Sequence, residues 1–206
     1  LMRAMTNSMD TLIGKVLERV DATDPNTYVI YLGDNGTWMF GPNREFIDNM
    51  YITRVDRSKG TAYESGARVE MAIRGPRVRA GVRRDVPVHG VDLYATILEL
   101  AKLQVPKAVP DRAGAMVRPD ALSLTPVLFR GAKRLRDPWR DYQLAETMNP
   151  VKQNMLHVAA RNTRYKVICA NDTQAASCEF FDLLEDPLEE YPLARPASCE
   201  AYQQGK

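Results

Sequence analysis

The chain has 206 residues, of which 45% are hydrophobic and 26% are charged, a composition typical of a globular protein. The net charge of +2 at pH 7 gives no reason to expect nucleic acid or an acidic membrane surface as a partner. No apolar run approaches the roughly 18 residues that a membrane-spanning helix needs. We therefore expect one sizeable core, or one domain with a small appendage.

The first predicted element is an amphipathic helix over residues 1–21. Its apolar residues recur in steps of three and four, and charged residues occupy the other face. The pattern is already present at Leu1, so we expect the chain to begin within a domain. Asp24-Pro25-Asn26 ends the helix, and a strand is predicted over 27–33. A helix followed by a strand is typical of the units that build parallel sheets.

Two oxygen-bearing side chains, Asp34 and Asn35, follow this strand directly. Ligands of open α/β sheets bind beyond the carboxyl ends of the strands. Carboxylate and amide oxygens are also the ligands that Ca²⁺ and Mg²⁺ prefer. The pair is therefore a candidate for half of a metal site. Asp-Asn-Gly is equally ordinary turn chemistry, since all three residues tolerate left-handed backbone conformations, and these residues alone leave both interpretations open.

The middle of the chain alternates loops with short elements. Residues 38–58 have no clean period and predict a long loop, of a length that is usually functional when ordered. A short strand is predicted over 69–73, and a helix with a wide apolar face over 91–103. A connector rich in Pro, Arg and Asp then leads to a short apolar segment over 122–129.

The composition shifts at residues 131–138, which indicates a boundary between two parts of the chain. Beyond the boundary, strand-like runs follow one another at hairpin spacing and predict a small antiparallel sheet. These runs cover residues 142–147, 157–160, 165–169 and 178–183. We expect domains at residues 1–135 and 136–206.

The cysteines are Cys169, Cys178 and Cys199, and none lies in a Cys-x-x-Cys pair. The two histidines are far apart in sequence, which also argues against a zinc site. Cys169 and Cys178 flank a polar loop between two strand-like runs. They could face each other as a disulfide, which would imply an oxidising compartment, or remain buried free thiols, and the sequence leaves both possibilities open.

Motifs along almost the whole chain together resemble the sulfatase family, in the order in which the family has them. The motifs are Leu32-Gly-Asp34-Asn35-Gly36, Lys59-Gly-Thr-Ala-Tyr-Glu64-Ser-Gly-Ala-Arg68, Ala72-Ile-Arg-Gly-Pro76, Val91 to Ala101, Ser123 to Leu128, Tyr165-Lys166 and Phe181 to Glu189. The resemblance implies an α/β fold: part of an alkaline-phosphatase-like three-layer sandwich, with a small C-terminal antiparallel sheet subdomain.

The resemblance also implies roles for individual residues. An aspartate-asparagine pair of this kind ligates a divalent cation in the family, usually Ca²⁺ with Mg²⁺ as the alternative, and that role passes to Asp34 and Asn35. The motif lysine contacts the sulfate group, so Lys59 is the expected catalytic and substrate-binding residue. Its ammonium and a cation would together neutralise the ester oxygens. His157 is a further candidate for substrate binding. The spacing of Glu64 and Arg68, four residues apart, separately indicates that the two can pair with each other or hold the loop's backbone, so both are expected to be structural.

The sequence departs from the family pattern in one respect, the motif that supplies the nucleophile. Sulfatases use a formylglycine nucleophile made from a Cys/Ser-x-Pro-x-Arg motif, and this sequence has no such motif. The chain therefore resembles only the C-terminal half of a sulfatase. The formylglycine is expected only in an N-terminal half, and the chain alone is predicted to be inactive. An N-terminal sulfatase segment, or a homo-oligomer, is expected to complete the sheet.

The expected substrate is a sulfate ester of a small molecule or a glycan, in a periplasmic, secreted or lysosomal-type compartment. Two alternatives remain. The complete protein could hydrolyse phosphate or phosphonate esters instead. The chain could also be a truncated, non-catalytic remnant that serves as a binding or assembly module.

Overall fold

The computed structural model describes residues 2–36, 57–148, 156–170 and 178–194. Its elements are α1 (Met2–Thr23), β1 (Val29–Leu32), α2 (Glu64–Ala67), β2 (Met71–Arg74), α3 (Asp92–Leu100), β3 (Val109–Pro110), β4 (Met116–Val117), α4 (Thr125–Arg130), β5 (Gln143–Met148), β6 (Leu156–Arg161), β7 (Tyr165–Ala170) and β8 (Cys178–Asp182). Contacts divide the chain into two compact units: residues 1–32 with 70–83, and residues 33–69 with 84–206.

The first unit contains α1, β1 and β2. The helix predicted at 1–21 and the strand predicted at 27–33 are confirmed, with slightly different bounds. β1 pairs with β2 in antiparallel register, with Val29 opposite Arg74 and Leu32 opposite Met71. The parallel neighbour that a helix-strand unit predicts for β1 is not among the described residues. The neighbour that they do contain is an antiparallel strand from later in the chain.

The apolar face of α1 is only partly covered. Along the helix, Ile13, Leu17 and Val20 are half-buried. A second apolar stripe on the adjoining side of the helix remains exposed to solvent, with 47–64% of each residue's surface accessible. This stripe consists of Met5, Met9, Leu12 and Val16. Its spacing follows the helical period, so the helix has more apolar surface than the described part of the chain covers.

The second unit contains the predicted antiparallel sheet, which is confirmed with the strand order β5-β6-β7-β8. On one face of this sheet, Ala159, Ile168 and Phe181 are buried and form the core with Ala62 and Leu183. Because residues opposite each other share a face of the sheet, the registers Arg161 to Lys166 and Lys166 to Phe181 place two charged side chains on this buried face. The segment around Ala62 therefore covers a face that is partly apolar and partly charged.

Cys169 and Cys178 form a disulfide between β7 and β8. The two residues lie directly opposite each other in the strand register. Of the two possibilities that the sequence left open, the structure therefore has the disulfide. Cys199 lies outside the described residues.

Asp92, at the start of α3, joins three separate segments of the second unit. Its carboxylate is fully buried and accepts hydrogen bonds from the backbone N–H of His89 at 2.8 Å and of Leu122 at 2.9 Å. Arg136 donates to the same carboxylate, with Nη1 2.6 Å from Oδ2. Arg136 lies just beyond the predicted domain boundary at residue 135, and that boundary stays a prediction.

No helix among the described residues is both long enough and apolar enough to cross a membrane. In α1, the longest helix described, apolar residues occupy one face and charged residues the other.

We predict that replacing Asp92 with alanine lowers the free energy of unfolding by about 3 kcal/mol or more, because it leaves the Arg136 guanidinium partly buried without its carboxylate. Urea titration of the two proteins measures this loss. Glu99→Ala is the matched control, since Glu99 is an exposed carboxylate on the same helix. Equal stabilities of the two variants would contradict the role assigned to Asp92.

Candidate active site

The loop that follows β1 brings Asp34 and Asn35 against a second loop. Asp34 is exposed and Asn35 is half-buried. The backbone N–H of Gly36 donates to the carbonyl of Gly66 at 3.0 Å. The side-chain oxygen Oδ1 of Asn35 is buried and accepts no hydrogen bond from the described part of the chain. A buried acceptor without a donor is costly, so this oxygen is an unsatisfied acceptor at the position predicted for a metal ligand.

Two glycines permit close backbone contacts at this site, one between the loops and one within the second loop. A Cβ atom at Gly36 would lie 2.1 Å from the backbone oxygen of Ser65. A Cβ atom at Gly66 would lie 2.4 Å from the backbone oxygen of Ser58. Both distances are far shorter than atoms can approach, and both obstacles are backbone atoms. Residues 34–36 can therefore lie against the second loop only because Gly36 lacks a side chain, and the second loop can fold against itself only because Gly66 lacks one.

The second loop holds Lys59 in a pinned turn. Thr61 donates from its backbone N–H and from its hydroxyl to the carbonyl of Ser58, at 3.1 and 2.7 Å. The hydroxyl of Ser65 donates to the carbonyl of Arg57 at 2.5 Å. Gly60 has a φ of 89°, in the left-handed region that favours glycine. Lys59 is half-buried on a turn that is fixed on both sides.

A buried cluster of four charged residues anchors this loop on the small sheet. Lys166 Nζ lies 3.0 Å from Glu64 Oε1 and 2.8 Å from Glu189 Oε1. Arg161 donates to Glu64 Oε2 at 2.6 Å, and the backbone N–H of Glu64 donates to Glu189 Oε2 at 2.5 Å. The contact between Lys166 and Glu189 is an ion pair by distance and lacks the alignment of a hydrogen bond. With two cations and two carboxylates, the cluster is balanced in charge.

Burial and ion pairing act in opposite directions on the two carboxylates. For Glu64, burial favours the neutral acid, but Lys166 and Arg161 outweigh it and lower the pKa of the carboxyl group. For Glu189, burial is the larger effect and raises the pKa, although Lys166 and the N–H of Glu64 partly offset it. Glu64 is thus the better-stabilised anion of the two.

Arg57 lies beside this cluster and packs on two aromatic rings. Its guanidinium carbon is 4.5 Å from the ring centre of Tyr63 and 5.6 Å from that of Phe181. Such cation–π contacts are strongest when they are desolvated, and Arg57 is only 4% exposed. The hydroxyl of Tyr63 donates to Glu179, and burial together with this carboxylate raises the pKa of Tyr63. Both ends of the Lys59 loop are therefore attached to the sheet.

The structure pairs Glu64 with residues far from it in sequence, whereas the spacing of charges predicts Arg68 as its possible partner. We expected a structural role for Glu64, and the structure agrees, with Lys166 and Arg161 as its ion-pair partners. Lys166 and Glu189 lie in motifs of the resemblance, but their charges gave no local signal, because each acts on a residue more than 100 positions away. His157 is buried on β6, on the same face as Ala159, and its role in substrate binding stays a prediction.

No group of three or more His, Cys, Asp or Glu side chains that could hold a metal ion occurs within residues 2–36, 57–148, 156–170 and 178–194. Asp34 and Asn35 are thus the oxygen donors that this chain brings to the loop after β1, and their role as metal ligands stays a prediction.

The chain is similar in sequence to known sulfatases. The sulfatase family model matches residues 4–103. The chain is 26% identical to human arylsulfatase K over 90% of this chain and 31% of that protein. It is 29% identical to human N-acetylglucosamine-6-sulfatase over 68% of this chain and 21% of that protein. The chain spans about a third or less of the length of these curated relatives.

A solved structure gives the same result for the fold. BT4656, in complex with its substrate D-glucosamine-2-N,6-O-disulfate, superposes with a TM-score of 0.69 at 22% identity, over 97% of this chain and 36% of that chain. The fold class is therefore α/β and alkaline-phosphatase-like, as predicted. The chain is related to the sulfatases, and the family resemblance found in the sequence motifs is confirmed.

We predict that Gly66→Ala lowers the free energy of unfolding by about 2 kcal/mol, because the new methyl group collides with backbone oxygens that cannot move aside cheaply. Gly14→Ala is the matched control. A Cβ at Gly14 meets nothing within 4 Å, and alanine in a helix is about 1 kcal/mol more favourable than glycine. Thermal unfolding should therefore give shifts of opposite sign for the two variants, and a neutral Gly66→Ala would contradict the close approach.

The two carboxylates of the cluster predict opposite pH dependences of stability. Because folding lowers the pKa of Glu64, its contribution is present above about pH 4.5 and is lost as the pH falls below that value. Because folding raises the pKa of Glu189, stability decreases as the pH rises from about 4.5 through the raised pKa. In a plot of the free energy of unfolding against pH, Glu64→Gln should flatten the part below about pH 4.5. Glu189→Gln should flatten the part just above about pH 4.5.

Urea unfolding at a series of pH values measures both slopes. Glu185→Gln is the control, since Glu185 is exposed in the turn that precedes Glu189. The profile of Glu185→Gln should run parallel to that of the wild type. Parallel profiles for Glu64→Gln and Glu189→Gln as well would contradict this assignment.

Proposed function

We propose that this chain is the C-terminal part of a sulfatase, whose complete form hydrolyses sulfate esters. The observation that carries the proposal is the buried Oδ1 of Asn35, which accepts no hydrogen bond from the described residues. The hydrogen bond between Gly36 and Gly66 holds it against the loop that bears Lys59. The oxygen that would bind a metal ion and the ammonium group that would bind the substrate thus lie on two loops in direct contact. The match to the sulfatase family model supports this arrangement.

Asp34 and Asn35 are the residues that would hold a divalent cation, Ca²⁺ or Mg²⁺. Their oxygens are of the kind that these ions prefer, and the orphaned Oδ1 of Asn35 fits a role as ligand. A cation bound there supplies positive charge to the ester oxygens. Ca²⁺ takes about six to eight oxygen ligands, so the other ligands must come from outside this pair.

Lys59 is proposed to bind the sulfate group and to neutralise the negative charge that develops as the S–O bond breaks. An ammonium group is a compact point charge on a flexible stem, which suits contact with several sulfate oxygens in turn. The turn that carries it is fixed by Ser58, Thr61 and Gly60, so the stem alone provides the movement. His157 is proposed as a further residue at the substrate pocket.

The nucleophile is proposed to lie outside this sequence, because the sequence has no Cys/Ser-x-Pro-x-Arg motif. The formylglycine made from such a motif would belong to an N-terminal segment, and this chain alone is expected to be inactive. The exposed apolar stripe of α1 supports such a partner, since contiguous apolar surface commonly marks an interface.

The proposed substrates are sulfate esters of glycans or small molecules. The name of one relative and the complex of one structural neighbour both concern sulfated amino sugars, which supports a glycan. The disulfide between Cys169 and Cys178 supports an oxidising compartment of the periplasmic, secreted or lysosomal type.

We predict that Lys59→Ala, made in the complete protein, lowers kcat/KM for an aryl sulfate by about 100-fold or more, the usual cost of removing one group that stabilises transition-state charge. Lys107→Ala is the matched control, an exposed lysine far from this loop in sequence. Equal activities of the two variants would contradict the role of Lys59. Faster turnover of phosphate or phosphonate esters would favour the alternative hydrolase, and no turnover of any ester would favour a binding module.

The metal site has a readout that does not depend on turnover. If Asp34 and Asn35 bind Ca²⁺, millimolar Ca²⁺ should raise the Tm of the complete protein, and Asn35→Ala should reduce the shift. Asn26→Ala, a control in the turn before β1, should leave the shift unchanged. A Ca²⁺ response that is the same in all three proteins would contradict the proposed ligand.

A further inference from the structure

The buried cluster joins three segments that are far apart along the chain. Glu64 follows the Lys59 turn, Lys166 lies on β7, and Glu189 lies in the turn after β8. The contacts of Glu64 with Lys166 and with Glu189 span 102 and 125 residues. The end of the described chain is thus attached directly to the loop that carries the proposed sulfate contact.

Glu189 has an unusual backbone conformation for its residue type. Its φ is 57°, in the left-handed region where a residue with a side chain is strained and glycine is not. It is also only 1% exposed. A glycine would relieve the strain, and a residue without charge would avoid the cost of burying a carboxylate. Neither replacement provides a carboxylate. The contacts of this carboxylate must therefore explain why a glutamate occupies the position.

Those contacts fix both the backbone and the side chain of Glu64. One carboxylate oxygen of Glu189 accepts the backbone N–H of Glu64 at 2.5 Å. The other lies 2.8 Å from the ammonium of Lys166, which in turn donates to the side chain of Glu64 at 3.0 Å. Glu64 is therefore held at two points by the same pair of residues, and neither point can shift without disturbing the other.

The tail turn that presents Glu189 is itself well fixed. Asp186 accepts the backbone N–H groups of Glu190 and Tyr191 on its two carboxylate oxygens, at 3.0 and 2.8 Å. The backbone N–H of Leu193 donates to the carbonyl of Phe180 at 2.7 Å, which keeps the tail beside β8. Hydrogen bonds within its own turn thus hold the strained Glu189 in place, in addition to its contacts with the Lys59 loop.

We propose that Glu189 and Lys166 are positioning residues for Lys59, so that the tail turn sets the orientation of the sulfate-contacting loop. This inference rests on the proposed function of Lys59. Neither residue need touch the substrate, because both act through Glu64. From Glu64 the constraint passes along the pinned turn to Lys59, and through Gly66 and Gly36 to Asn35.

The test separates positioning from general stability by using the strained backbone. Glu189→Gly removes the carboxylate but suits the left-handed conformation better than glutamate does. If Glu189 served only to shape its own turn, this variant would be as stable as the wild type and equally well protected from hydrogen exchange. If it positions the loop, backbone amides of residues 57–67 should exchange about tenfold faster or more.

Hydrogen exchange read by mass spectrometry on the full chain gives the decisive comparison. The expected result is faster exchange in residues 57–67, with the β3–β4 hairpin and α3 unchanged. Glu185→Gly, at an exposed position of the same turn, should leave the loop protected. Unchanged exchange in residues 57–67, or an equal increase in the hairpin and α3, would overturn the proposal. Glu189→Gln, whose amide oxygen can still accept the N–H of Glu64, should restore part of the protection.

Failure of the proposed function gives a different pattern. Lys59→Ala should leave the exchange of residues 57–67 at the wild-type rate, because it leaves the contacts of Glu64 with Lys166, Arg161 and Glu189 intact. In the complete protein, Glu189→Gly should lower kcat for an aryl sulfate about tenfold, whereas Glu185→Gly should not. If Lys59→Ala has full activity while Glu189→Gly still loosens the loop, the sulfate role of Lys59 is wrong and the anchoring stands.

Discussion

The pairing of Lys166 with Glu64 and Glu189 is the interaction on which the second unit depends. A lysine on a buried sheet face is tolerable only when its charge is compensated. The two carboxylates that compensate it come from the Lys59 loop and from the tail turn, and Arg161 balances the remaining charge. The apolar face of the sheet can therefore be covered only when both segments are in place. The segment that buries Ala62 against Phe181 is the same segment that carries Glu64 to its ion pairs.

The candidate site lies at the far side of the same loop. Once Glu64 is anchored, Gly66 is held where its carbonyl meets the N–H of Gly36. The absence of a side chain at Gly36 allows the two backbones to touch, and its absence at Gly66 lets the second loop fold closely on itself. A constraint that begins at the sheet thus ends beside Asn35, whose buried Oδ1 accepts no hydrogen bond from the described residues. Rigid supports are what a site of charge stabilisation requires, because preorganised groups need not rearrange during the reaction.

Sequence reasoning succeeded where the signal is local and failed where it is not. The periods of α1, α3 and the small sheet are properties of neighbouring residues, and they were predicted. The antiparallel pairing of β1 with β2 depends on a strand some 40 residues later, and local pattern carries no information about it. The partners of Glu64 could not be predicted for the same reason, since two residues 102 positions apart have no recognisable spacing in the sequence. The disulfide was left open because it depends on the register of β7 and β8, which composition does not fix.

Three features of the chain bear on the proposed N-terminal partner. The exposed stripe of α1 needs an apolar partner, and the pair Asp34 and Asn35 needs further oxygen ligands to hold a cation. A second copy of this chain could cover the stripe. It could not supply the nucleophile, however, because every copy lacks the Cys/Ser-x-Pro-x-Arg motif. The proposed N-terminal sulfatase segment would cover the helix, complete the ligand set and supply the nucleophile, so a single partner would meet all three needs.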